Sequence, residues 1–409
     1  MPLHIRDYEA VAGKEVIDEL WLLADRIRHR SLQNINSTAV GGGVAEILTR
    51  IVPLLRDLGI TTWWDVIKGD EAFYNATKTL HNALHGKNDE ITEPMLQAYR
   101  DRTAANLAEL EIRADVILVH DPQAAGMIAK KRALGRHWLW RCHIDVSAPQ
   151  QRAWDFLRPY AEQYDAAIFS MASFAQRLGI AQYIVPPSID PLSDKNRKLE
   201  KAEIETVLAK YGIDPERPVL TQISRFDRLK DPLGVITAYR MVKKRANCQL
   251  VLAGGGASDD PEGAQVLQEV REQAANDADI HVLLLPPFSD YEINALVRGS
   301  TLVFQKSLKE GFGLTVTEAL WKGKPVIGGA VGGIKLQVLN GITGFLVHSP
   351  EGAAHRALEL LGDAELRAKL GENGRLHVKQ NFLLTRHLKD YLLLMMALEH
   401  PNEDIVQMF

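Results

Sequence analysis

Two carboxylates, Glu310 and Glu318, stand eight residues apart in Lys309-Glu310-Gly311-Phe312-Gly313-Leu314-Thr315-Val316-Thr317-Glu318-Ala319-Leu320. The apolar run Leu302-Val303-Phe304 leads into this glycine turn and a helical pattern follows, so the stretch predicts strand, turn and helix. Free N–H groups at a helix N-terminus bind anions. The glycines allow close approach of a ligand, and ionised carboxylates accept hydrogen bonds from vicinal hydroxyls. Phosphate and diol recognition in one turn point to a nucleotide sugar. Thr315-Val316-Thr317-Glu318 also fits a capping box, in which Glu318 would serve the helix and not a ligand.

Other candidates fall at the carboxyl ends of expected strands, where parallel α/β domains bind ligands. Arg225 and Lys230, in Ser224-Arg225-Phe226-Asp227-Arg228-Leu229-Lys230, offer a planar fork and a point charge to phosphate oxygens. Gly41-Gly42-Gly43 leaves backbone N–H groups accessible at a ligand-facing position, although it is not a dinucleotide fingerprint. His120-Asp121-Pro122-Gln123 and Arg141-Cys142-His143-Ile144-Asp145 each put a histidine beside an aspartate. Of these, His143 is the stronger candidate, with His120 next. Three features are set aside. His81 and His85 lack a third metal ligand. Asp277-Ala278-Asp279 precedes its strand and so lies at the wrong end of the sheet. Gly254-Gly255-Gly256 is well placed, but Asp259 and Asp260 beyond it would repel phosphate.

The elements that must position these groups alternate along the chain. Strands are expected at Leu32–Asn36, Thr62–Ile67, Val116–His120, Trp138–His143, Ala166–Ser170, Val219–Ile223, Gln249–Ala253, Val282–Leu285, Leu302–Gln305, Pro325–Gly328 and Phe345–Val347. Helix-length segments such as Val44–Leu58, Asp231–Lys244, Asp290–Arg298 and Val316–Lys322 lie between them. Repeated βα units predict parallel sheets covered on both faces. Pro186-Pro187-Ser188-Ile189-Asp190-Pro191-Leu192-Ser193-Asp194 breaks the rhythm. The expected organisation is two Rossmann-like domains facing across a cleft, at 1–190 and 191–384. The Leu- and Met-rich helix near 385–409 is expected to pack back onto the first domain, because a free tail would leave too much apolar surface exposed.

Composition limits the function classes. The 409 residues are 46% hydrophobic and 24% charged, with a net charge of −4. That is an ordinary globular balance, and it gives no electrostatic case for nucleic acid or an anionic membrane as partner. Two cysteines, Cys142 and Cys248, lie far apart, which fits a reduced protein and not a disulfide framework. No run reaches bilayer length, and the polar N-terminus is unlike a secretory signal. A cytoplasmic protein is the expectation.

The ordered set of Gly41–Gly43, His143, Arg225 with Lys230, and Glu310 with Glu318 resembles the retaining glycosyltransferases of two Rossmann-like domains, the group that includes sucrose synthase and sucrose-phosphate synthase. Asn36-Ser37-Thr38, Val44-Ala45-Glu46-Ile47-Leu48, Val119–Gln123, Leu139–Asp145, Pro186–Ser193 and Gly311–Gly328 extend the likeness to the trehalose glycosyltransferring synthases. The resemblance implies a glycosyltransferase B-type fold. It also implies a reversible, retaining transfer of glucose from a nucleoside-diphosphate-glucose (ADP-, UDP- or GDP-glucose) to free glucose, giving α,α-trehalose. It gives the diphosphate to Arg225 and Lys230 and the ribose to Glu318, with Gly42 and Gly43 as donor contacts that let the first domain's loop approach the phosphates. The donor glucose and its phosphate fall to Glu310 and the amides of Gly311, Phe312, Gly313, Leu314 and Thr315, and a contact near the 6-hydroxyl to His143. Asp121, Gln123 and Asp145 are candidate acceptor contacts by position. No tightly bound cofactor and no metal ligand are expected; magnesium would act through the nucleotide. The expected partners are small molecules (nucleotide sugar, glucose, trehalose) and a second copy in a homodimer, with no membrane. A retaining trehalose phosphorylase and a sugar-nucleotide 2-epimerase share the architecture and stay open as alternatives.

Overall fold

A computed structural model describes residues 3–40, 43–131, 136–255 and 261–399. The chain forms two compact units, Met1–Ser188 with Leu384–Phe409, and Ile189–Leu383. Each is built on a six-stranded parallel sheet. The expected fold class, α/β with two Rossmann-like domains, is therefore what the chain adopts.

The first sheet contains β1 (Ser31–Asn36), β2 (Thr61–Val66), β3 (Val116–His120), β4 (His137–Cys142), β5 (Ala166–Phe169) and β6 (Ala181–Ile184), in the order β2-β1-β3-β4-β5-β6. Every residue of β3 is buried, as helices on both faces of a parallel sheet require. Helix Gly43–Asp57 turns Ala45, Ile47, Leu48, Ile51, Val52, Leu54 and Leu55 inward, an apolar face recurring at helical spacing. Successive strands depart in opposite directions from β1 and β3. The carboxyl ends of that pair form the switch point, where open α/β sheets bind ligands. Asn36 and His120 end those two strands.

The second sheet contains β7 (Val219–Ile223), β8 (Gln249–Gly255), β9 (Ile280–Leu285), β10 (Leu302–Gln305), β11 (Val326–Gly329) and β12 (Gly344–Val347), in the order β12-β11-β10-β7-β8-β9. Here β7 pairs with β10, with Leu220 opposite Leu302 and Thr221 opposite Val303. Their carboxyl ends form this unit's switch point, which brings the loop carrying Arg225 and Lys230 beside the loop carrying Glu310.

The chain returns to the first unit through helix Leu384–Ala397. His387 of that helix is buried and its Nδ1 lies 2.9 Å from Ser188 Oγ, while Lys389 Nζ meets Glu19 Oε1 at 2.6 Å.

Two expectations need correction. β6 was not anticipated: Ala181-Gln182-Tyr183-Ile184 is a partly exposed edge strand without an apolar run. Helix Leu314–Trp321 starts two residues before the expected Val316 and is N-capped by Gly313 at φ 81°. No helix among the described residues is long and apolar enough to cross a membrane.

Candidate functional site

In the second unit, chain order delivers Arg225 and Lys230 from the loop after β7, and Glu310 from the loop after β10. Lys230 Nζ donates to Glu310 Oε2 at 2.7 Å. Ser307 Oγ donates to the same oxygen at 3.1 Å, and Gln305 Nε2 lies 3.5 Å from it. The carboxylate is buried, so three donors compensate a charge that would otherwise be costly to desolvate. Leu308 N–H donates to Leu229 C=O at 2.8 Å, and Gln222 Nε2 to Lys230 C=O at 2.7 Å. The first bond ties the two loops together beside the ion pair, and the second fastens Lys230 to its own strand.

Backbone geometry opens the turn to an anion. The N–H groups from Gly311 to Thr315 make no hydrogen bond among the described residues, and Gly313 caps the helix without a side-chain bond. The carbonyls are held instead: Gly333 N–H donates to Gly311 C=O at 3.0 Å, and Gln337 Nε2 to Phe312 C=O at 2.6 Å. A Cβ at Gly332 would lie 1.6 Å from Glu310 O, so only glycine permits this packing beneath the turn. Free donors at a helix N-terminus, backed by the helix dipole, form an anion site. The Phe312 ring does not take part; it is buried edge-to-face against Phe382, with centroids 5.6 Å apart.

Glu318 does not cap. Thr315 Oγ1 donates to Gln305 Oε1 at 3.2 Å, and Glu318 falls in the second helical turn, beyond reach of an N-cap at Gly313. The capping-box alternative is set aside for this reason. Glu318 is 3% exposed and Lys195 Nζ lies 3.7 Å from its Oε1. Lys195 also lies 3.6 Å from Asp290. Arg225 stands apart from this network: its side chain is 64% exposed and its nearest carboxylate among the described residues, Asp227, is at 3.9 Å. The structure therefore joins Lys230 to Glu310 and leaves Arg225 and Glu318 outside that contact.

In the first unit the histidines are joined. His120 Nδ1 lies 3.0 Å from His143 Nε2, with the rings stacked at 5.3 Å. His120 Nε2 lies 3.1 Å from Asn34 Oδ1. Burial holds both rings neutral: it pushes His120 down to about 3 and His143 well below its ordinary value, with Arg141 acting in the same direction. Asp121 accepts the His143 backbone N–H at 2.8 Å from a left-handed backbone, φ 63°. Burial raises its carboxyl to about 6, against the lowering effect of that hydrogen bond. Gln123 Oε1 is buried without a hydrogen-bond partner among the described residues. Asp145 uses one carboxylate oxygen to accept Ser147 N–H at 2.9 Å. Asn36 orders the start of the following loop, with its Nδ2 donating to Thr38 C=O at 2.7 Å and Trp64 Nε1 donating to its Oδ1 at 2.8 Å. Gly41 and Gly42 lie outside the described residues; Gly43 opens helix Gly43–Asp57.

Asp279 is explained structurally by Arg217 and Lys243, which bracket it. The His81 and His85 rings lie 4.8 Å apart, tilted by 59°. Sequence reasoning missed Lys195, Gln305, Ser307 and Asn34. Gln305 and Ser307 were findable as polar residues ending a buried strand, and Asn34 as a polar residue inside one. Lys195 carries no local signal, since its partner is more than a hundred residues away in sequence.

Against known proteins, residues 34–176 match the family described as trehalose synthase, N-terminal domain, and residues 203–377 match glycosyl transferases group 1. The chain is 43% identical to the trehalose synthase of Thermococcus litoralis, covering 95% of each chain. It is 42% identical to the trehalose synthase of Rubrobacter xylanophilus, again covering 95% of each. Among solved structures it resembles a UDP-forming α,α-trehalose-phosphate synthase from Burkholderia xenovorans, with TM-score 0.71 and 16% identity over 89% of this chain and 98% of that one.

Proposed function

As the chain belongs to the trehalose synthase family, we propose that it transfers glucose from a nucleoside-diphosphate-glucose to free glucose, forming α,α-trehalose and the nucleoside diphosphate. The observation that carries this reading is the Lys230–Glu310 pair beside the unbonded amides of Gly311–Thr315, at the switch point of the second sheet. The amides and Lys230 receive the diphosphate, and the exposed Arg225 guanidinium adds a second cation as negative charge grows on the leaving oxygen. Glu310 accepts hydrogen bonds from donor glucose hydroxyls, and Glu318 from the ribose diol. Asp121, Gln123 and Asp145 take the acceptor glucose. The unsatisfied Gln123 Oε1 is completed by a hydroxyl donor.

The C1–O bond to the diphosphate breaks with its electron pair passing to the phosphate oxygen. The bond from the acceptor's anomeric oxygen forms on the same face of C1, and the acceptor's proton passes to the departing diphosphate. A covalent route would need a carboxylate nucleophile, and Glu310 is poorly suited because its charge is shared by Lys230, Ser307 and Gln305. Positive charge comes from Arg225 and Lys230, so magnesium acts through the nucleotide and needs no protein ligand.

The test is to incubate the enzyme and glucose with each nucleoside-diphosphate-glucose and measure nucleoside diphosphate release. Release that depends on glucose supports the reading. Turnover only with trehalose and inorganic phosphate identifies a phosphorylase instead.

A further inference from the structure

Asn34, His120 and His143 form a hydrogen-bonded row whose polarity is determined by its buried end. Asn34 is fully buried in β1, and its Nδ2 faces the Trp63 carbonyl at 3.5 Å. A carbonyl only accepts, so the amide nitrogen belongs on that side and Oδ1 faces His120 Nε2 at 3.1 Å. Oδ1 also only accepts; His120 Nε2 therefore carries the proton. His120 is buried at 2% exposure and neutral, which leaves its Nδ1 as a lone pair facing His143 Nε2 at 3.0 Å. His143 must then donate from Nε2, and its Nδ1 is the acceptor.

We propose that Asn34 and His120 are positioning residues which lock His143 in its Nε2–H tautomer, so that Nδ1 accepts a hydrogen bond from a sugar hydroxyl. His143 Nδ1 makes no hydrogen bond among the described residues and is not enclosed as a buried orphan, so it is open to such a group. Asp121, at positive φ, accepts the His143 backbone N–H at 2.8 Å and so fixes the main chain from which the ring projects. A histidine with free tautomer exchange could donate or accept. Locked this way, it favours a hydroxyl over a group that only accepts hydrogen bonds. The sugar partner rests on the proposed function; the tautomer does not.

Two measurements test it on the full chain. In 15N-histidine spectra of the substrate-free protein, assigned with a His143→Asn variant, His143 should show protonated Nε2 and unprotonated Nδ1 throughout pH 6 to 8, on the order of ordinary assay conditions. A protonated Nδ1, or a tautomer mixture, overturns the proposal. In kinetics, Asn34→Leu should lose discrimination between the glucose donor and its 6-deoxy counterpart by on the order of tenfold, the worth of one neutral hydrogen bond. A purely structural role would lower the unfolding midpoint and leave that ratio unchanged, which also overturns it. If Asn34→Leu does not fold, the wild-type spectrum decides. If the predicted tautomer is seen in a protein that does not turn over nucleotide sugars, the proposed function fails while the locked tautomer stands.

Discussion

Replacing Glu318 by glutamine should weaken nucleotide binding and leave the fold intact. Glu318 is 3% exposed in helix Leu314–Trp321, where Gly313 and not Thr315 occupies the cap. The substitution keeps the side-chain volume and costs no helix cap. Lys195 retains Asp290 at 3.6 Å, so no cation is stranded, and the melting temperature should move by less than about 3 °C, within about 1 kcal/mol for a domain of this size. A carboxylate accepting from two ribose hydroxyls makes hydrogen bonds worth roughly 1.5–3 kcal/mol. An amide keeps one acceptor, so a loss of about 2 kcal/mol, or roughly 30-fold in affinity, is expected. The ribose is held alike in ground and transition states, so KM should rise while kcat at saturation is kept. Calorimetric titration with the nucleoside diphosphate, steady-state kinetics and thermal melts read the three quantities. Unchanged affinity together with a destabilised fold would refute the reasoning and make Glu318 structural.

Arg225→Ala should lower kcat/KM by roughly 100-fold, about 3 kcal/mol of lost transition-state stabilisation, with an unchanged melt because the side chain is 64% exposed and 3.9 Å from its nearest carboxylate; near-normal turnover in the folded variant removes it from the site. Glu310→Gln should act mainly on kcat, and its defect should persist at saturating donor; a defect confined to KM contradicts the assigned role. Stability should fall as pH drops from neutral. Unfolded histidine binds a proton near its ordinary value, whereas folded His120 does so only at about 3 and His143 and His387 well below that ordinary value. Between these limits the unfolded chain holds more protons, so each buried ring removes up to about 1.4 kcal/mol per pH unit below about 6.5. Asp121, raised to about 6, offsets one of the three over part of that window. Urea midpoints from pH 7 to 5 check this, and a flat profile would show the rings already charged, or equally solvated, in the fold.

How much was legible in the sequence depended on whether a feature was local. Val116–His120 reads as a strand because both its faces are buried and its run is apolar. The turn at Gly311–Thr315 was legible because glycines and a following helical period are adjacent in the chain. Ala181–Ile184 was not, since an edge strand needs no apolar run. The alternative capping box does not form because Thr315 finds a tertiary acceptor, Gln305, ten residues away, and sequence spacing does not show that competition. The contact of Lys230 with Glu310 follows from β7 lying beside β10, an order fixed by packing. In the row Asn34–His120–His143 the two histidines were legible at the ends of expected strands, whereas Asn34 left only the trace of a polar residue in β1, Ser31–Asn36, a strand that had to be buried.

The central claim is tested most directly by NMR of the product formed from 13C-1-labelled nucleoside-diphosphate-glucose and unlabelled glucose. The account predicts a disaccharide whose labelled carbon is an α-anomeric centre joined to an unlabelled α-anomeric carbon, with one nucleoside diphosphate released for each disaccharide. A β-linkage at the labelled carbon, a label recovered only as free glucose or an epimerised nucleotide sugar, or trehalose made only from glucose 1-phosphate would contradict it.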